Sequence, residues 1–120
     1  MEVLLQILVL LVAVEHLLIM WLEMSLPSRR AERAFGISLE KQKQREIRTL
    51  FANQGLYNGF LAAGLIWSLL APPELARPLQ LFFLGCVLIA AIFGALTSSK
   101  KILLVQGLPA LSAILVWLLQ

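Results

Sequence analysis

Of 120 residues, 60% are apolar and only 14% are charged, with a mean hydropathy of +0.87. A soluble domain carries about a quarter charged residues, so too little polar surface is present to coat a water-soluble globule. The net charge of +3 does not point to nucleic acid, because the basic residues are sorted by position along the chain.

Four apolar runs, 3–24, 50–71, 79–97 and 102–119, each approach the roughly 20 residues that cross a hydrocarbon core. The expected fold is therefore all-α, a single-domain integral membrane four-helix bundle. The first run reads as a retained span. Met1-Glu2 offers no basic leader, the apolar stretch is too long for a signal peptide, and no small-residue cleavage site follows. Seven of the ten Lys and Arg residues lie in the 25–49 connection (Arg29, Arg30, Arg33, Lys41, Lys43, Arg45 and Arg48), and Lys100 and Lys101 precede the fourth run. Only Arg77 lies between the second and third. Basic loops stay in the cytoplasm, so both termini and the 72–78 turn are expected on the outer side.

In the first run Glu15 and His16 stand side by side, with Glu23 seven residues beyond His16 and so nearly on its helical face. Glu15 falls near mid-span, whereas Glu23 sits nearer the interface, where a solvated carboxylate is expected. In the 25–49 connection Pro27 ends the first helix. Ser38 is suited to cap a new helix that runs on into the second span, with Glu40 in its first turn. The basic stretch reads as a solvated collar beside the headgroups.

The second run opens with Asn53-Gln-Gly-Leu-Tyr-Asn-Gly59. Asn53 with Tyr57, and Gln54 with Asn58, form two polar stripes at a four-residue spacing. Gly55, Gly59 and Ala63 form a ridge of small residues that lets membrane helices approach closely. Both features are expected to face other spans. Pro72, Pro73 and Pro78 are expected to keep the next connection out of helix. The third run carries Gly85, the single cysteine Cys86, Gly94 and Ala95 at close-packing spacings. In the fourth, Gln106 comes early, and Gly107 with Pro109 predicts a kink.

A hydrocarbon core offers no water to amides or carboxylates. Glu15, His16, Glu23, Asn53, Gln54, Tyr57, Asn58 and Gln106 all fall toward the cytoplasmic ends of their spans, with Thr97 and Ser98 closing the third. They are expected to meet in one polar chamber above a dry outer floor. A glutamate beside a histidine in such a place is a proton donor and acceptor pair, so Glu15, His16 and Tyr57 are the candidate catalytic residues. Glu23, Asn53, Gln54, Asn58 and Gln106 are the candidate ligand-binding residues. The competing reading makes the same groups interhelical glue. No Cys/His cluster has metal-ligand spacing and no Gly-rich loop suits a phosphate, so no cofactor is expected.

The blocks Glu15-His16-x-x-Ile19-x-x-Leu22-Glu23-Met24, Ala52-Asn-Gln-Gly-Leu-Tyr-Asn-Gly-Phe-Leu-Ala-Ala-Gly64 and Gln106-Gly-x-Pro109-Ala110 resemble the signature blocks of the DUF1304 family. These are small four-span bacterial membrane proteins. The resemblance implies a multipass protein of the bacterial inner membrane and adds no chemistry. Three functions remain open. One is an intramembrane enzyme of isomerase or epoxide-opening type acting on a lipophilic small molecule. The second is a proton-coupled carrier, for which a homodimer would be needed. The third is an assembly or scaffold subunit.

Overall fold

A computed structural model describes all 120 residues, Met1–Gln120. The chain is helical throughout: α1 (Glu2–Met24), α2 (Arg29–Phe35), α3 (Leu39–Gln42), α4 (Arg45–Leu70), α5 (Pro73–Thr97), α6 (Lys100–Ile102), a π-helical turn (Leu103–Gly107) and α7 (Leu108–Leu118). Three stretches are long and apolar enough to cross a membrane: Glu2–Met24, Pro73–Thr97 and Lys100–Leu118. Helix α4 is longer still at 26 residues, about 39 Å at 1.5 Å per residue. It is less apolar, because Arg45, Glu46 and Arg48 open it and Asn53, Gln54 and Asn58 interrupt its first half.

The chain divides into two compact units, Met1–Glu15 with Leu61–Gln120, and His16–Phe60. In the first unit the core is built by Leu5, Val9, Val12 and Ala13 of α1, Leu65 of α4, Leu84 and Val87 of α5, and Ala110 and Ala113 of α7. The i, i+3, i+4 spacing along α1 puts these side chains on one stripe. Small residues bring α5 close to the C-terminal helices. A Cβ added at Gly94 would lie 3.1 Å from Ile102 Cγ2, and one at Gly107 would lie 3.2 Å from Ala91 Cβ.

The first unit corrects the expected outer turn. Only Ala71 and Pro72 separate α4 from α5, and α5 begins at Pro73 with Pro78 inside it. A first-turn proline needs no N–H and its fixed φ already suits a helix, so Pro73 starts α5 instead of blocking it. The N–H groups of Leu75 and Ala76 donate to Pro72 O at 2.9 and 2.8 Å. Near Pro109 the irregularity takes the form of the π-turn, in which the Leu108 N–H donates to Leu103 O. A widened turn accommodates a ring that cannot donate and would crowd the preceding turn.

In the second unit the connection is a folded cap whose seven basic residues, Arg29, Arg30, Arg33, Lys41, Lys43, Arg45 and Arg48, all stay exposed. Ser28 caps α2 by accepting from Ala31 N at 3.0 Å. Gly36 closes α2 at φ 70°, a left-handed position that glycine alone takes without cost. Ser38 caps α3 as expected, but α3 ends at Gln42 and α4 restarts at Arg45. The fully buried Gln42 ties the cap together. Its Oε1 accepts from Ser28 N at 2.8 Å and its Nε2 donates to Ile37 O at 2.9 Å. Glu32 Oε2 accepts from Leu39 N at 2.9 Å, the Phe35 and Phe51 rings lie 5.4 Å apart, and the Arg30 guanidinium covers Trp21 at 5.3 Å.

Candidate functional site

The site is nucleated by glycine. In the second unit Gly55 and Gly59 of α4 face the last turns of α1. A Cβ on Gly55 would meet Met24 Cγ at 2.8 Å and both Glu23 Cβ and the Met20 carbonyl oxygen at 3.1 Å; one on Gly59 would meet Met20 Sδ at 2.6 Å. Only a residue without a side chain permits this approach. Asn58 lies three residues beyond Gly55 and one before Gly59, on the same side of α4. The approach brings its Nδ2 within 2.5 Å of Glu23 Oε1, which it serves as donor. Glu23 is 0% exposed, and its second oxygen, Oε2, is buried with no hydrogen-bond partner. His16, on the same face of α1 seven residues earlier, is also buried.

Depth along the span therefore misjudged Glu23. It is not a solvated interfacial carboxylate, because the face it occupies is the one sealed by the glycines. Once buried, a carboxylate needs donors, and this one has a single donor and an open oxygen. A charge-assisted bond of this kind contributes about 1.5–3 kcal/mol in water-soluble proteins. Between membrane helices the average is about 0.6 kcal/mol, because the separated helices also find partners.

Within the second unit the other candidates do not join this pair. Asn53 and Gln54 are exposed on α4. Tyr57 is 65% exposed, with its ring edge-on to Phe60 at 5.7 Å. The small-residue ridge continues through the buried Ala62, while Ala63 is exposed. Of the two polar stripes, only Asn58 points inward. In the first unit, Glu15 is half-buried, with an enclosed Oε1 that has no hydrogen-bond partner. Gln106 is half-buried within the π-turn.

The helix ends expected to form a dry floor also carry buried polar residues. Near the α4–α5 turn the first unit has a partly open cavity of about 410 Å³ whose wall includes Glu2, Gln6, Ser68, Arg77 and Gln80. Gln80 and Ser68 are buried at 3% and 1% exposure. Gln80 and Ser68 went unnoticed because each stands apart from the other polar residues of its run, with no repeat to mark it. The available signal was that both lie within a few turns of the same helix ends.

A helical protein with three segments long and apolar enough to cross a membrane, and a carboxylate sealed between two helices, is the class this arrangement defines. The family model described as a protein of unknown function (DUF1304) matches residues 10–118, and the chain belongs to that family. It is 39% identical over 119 residues to the uncharacterised protein YpaA of Lactococcus lactis subsp. lactis (strain IL1403), covering 96% of this chain and 97% of that one. No solved structure matches.

Proposed function

We propose that this chain is a four-span protein of the bacterial inner membrane, with α4 as the additional span, the 25–49 cap in the cytoplasm and both termini outside. In this reading Glu23 is the working carboxylate of an intramembrane acid–base site that acts on a small lipophilic molecule. Asn58 orients Glu23, and His16 is the second proton-handling group. The single observation that carries the reading is Glu23 itself: wholly buried, held through one oxygen by Asn58, with the other left open to a donor. Purely structural glue is served by two satisfied groups, and a half-satisfied carboxylate is costly unless something else uses it. The basic content of the 25–49 segment supports the orientation. The combined length of the charged opening and apolar remainder of α4 supports the fourth span.

Glu23→Gln retains an oxygen for Asn58 but cannot exchange a proton. The test compares lipid-extractable small molecules that accompany purified wild type, Glu23→Gln and His16→Gln. The expected result is a compound whose amount or chemical form differs between wild type and both variants, with unfolding of Glu23→Gln unchanged. Identical profiles together with a destabilised Glu23→Gln would reduce Glu23 and Asn58 to a helix fastener.

The exposure of Asn53, Gln54 and Tyr57 on α4 favours a second reading, a proton-coupled carrier assembled as a parallel homodimer. Amides facing hydrocarbon need a partner, and each amide both donates and accepts, as a two-fold interface requires. Disulfide cross-linking of Tyr57→Cys in a Cys86→Ala background would yield dimers under this reading and monomers otherwise.

A further inference from the structure

We propose that the cavity beside the α4–α5 turn is a binding site for a primary ammonium group carried on a short aliphatic chain. It lies wholly within the first unit and is independent of Glu23 and its partners. Its volume of about 410 Å³ falls within the roughly 300–1,000 Å³ of small-molecule sites. Its most deeply buried side chains, Gln80 and Ser68, present acceptors. Gln80, 3% exposed, lines the cavity with an Oε1 that is buried and has no hydrogen-bond partner. Ser68, 1% exposed, gives its single proton to Leu65 O at 2.6 Å, so its oxygen can serve a ligand only as an acceptor. Glu2 adds a carboxylate.

Arg77 is the one cation in the wall, and it is turned to other work. Its Nη1 donates to Gln120 Oε1 at 3.1 Å, its Nη2 donates to Trp117 O at 3.4 Å, and the guanidinium lies 4.7 Å over the Trp117 ring. Trp117 Nε1 donates back to Arg77 O at 3.1 Å. Gln80 Oε1, Ser68 Oγ and the Glu2 carboxylate give the wall three acceptors beside the Gln6 amide, which can accept or donate, and an ammonium supplies three donors and no acceptor. Leu69 and Ala76 supply apolar wall for the carbon chain. A carboxylate or phosphate would leave Gln80 Oε1 without a donor and face Glu2 with like charge. The ammonium could be that of an ethanolamine lipid headgroup or of a free small amine, and the experiment separates the two.

The full chain is placed in phosphatidylcholine nanodiscs and titrated with n-butylammonium, n-butanol and butyrate. The side-chain amide of Gln80 is followed by nitrogen–proton NMR and assigned from its absence in Gln80→Leu; binding is also read by thermal unfolding. The expected result is that butylammonium shifts the Gln80 resonance and raises the unfolding temperature, while butanol and butyrate do neither. Ser68→Ala should bind butylammonium about tenfold more weakly, the loss of one hydrogen bond to a charged donor. Gln80→Leu should abolish the thermal response while remaining folded, because leucine replaces an unsatisfied amide at similar volume. Nanodiscs containing phosphatidylethanolamine separate the sources. If they shift Gln80 unaided and block butylammonium, the headgroup is the ligand; if butylammonium still binds there, a free amine is. Butyrate acting as strongly as butylammonium, Gln80→Leu keeping the response, or neither amine source moving the Gln80 resonance would overturn the proposal.

Discussion

Two close approaches of helices in this protein use the same device to different ends. Where α5 meets the C-terminal helices, Gly94 and Gly107 admit Ile102, Leu103 and Ala91, and the contact is entirely apolar. Where α4 meets the end of α1, Gly55 and Gly59 admit Met20, Glu23 and Met24, and Asn58 between them reaches a carboxylate. A small-residue ridge by itself yields packing. With one amide set into the ridge it yields a buried, oriented acid. The difference turns on single residues, so single substitutions can break or sharpen it.

The largest effect is expected at Gly55. Valine there drives a branched side chain against the Met20 carbonyl and Glu23 Cβ, both 3.1 Å from the position of a first carbon. Backbone cannot rotate aside as a side-chain tip can, so overpacking should cost about 3 kcal/mol, measured by reversible unfolding in mixed micelles. Asn58→Leu fills the space but strands Glu23 with no donor, at about 2 kcal/mol. Gln42→Ala should cost about 1 kcal/mol overall. It should show chiefly as faster amide exchange confined to the 28–42 cap, whose Ser28 and Ile37 contacts it deletes. Gly94→Ala should cost less than about 0.5 kcal/mol, because its only tight contact is with one side-chain methyl, Ile102 Cγ2, which needs to yield by a few tenths of an ångström.

The helices were legible in the sequence because a run of some twenty apolar residues has few other uses. Their boundaries were not legible where proline was read only as a breaker: Pro73 begins α5 and Pro78 lies within it. The glycines were the sound signal in the second run and the amides were not. Around α4 the buried side passes through Gly55, Ala62 and Leu65. Asn58 falls on that side and Asn53 and Tyr57 fall off it, while Gln54, nearly in line with Leu65, is nonetheless exposed. Four-residue spacing shows that side chains share a stripe but not which way the stripe faces. Glu23 was undervalued because its position in the sequence gives depth along the helix, whereas its burial depends on what α4 sets against it. Gln80 and Ser68 were missed because a cavity shared by three runs leaves no pattern in any one of them.

The most direct test is a double-mutant cycle of Glu23→Ala and Asn58→Ala, with unfolding free energies measured for wild type, both single variants and the pair. If the α1–α4 approach holds these side chains in one hydrogen bond, the coupling energy should be about 1 kcal/mol, within the span found between membrane helices. A coupling indistinguishable from zero would mean that the two residues act separately, and that Glu23 is not held as the oriented acid on which the proposed function rests.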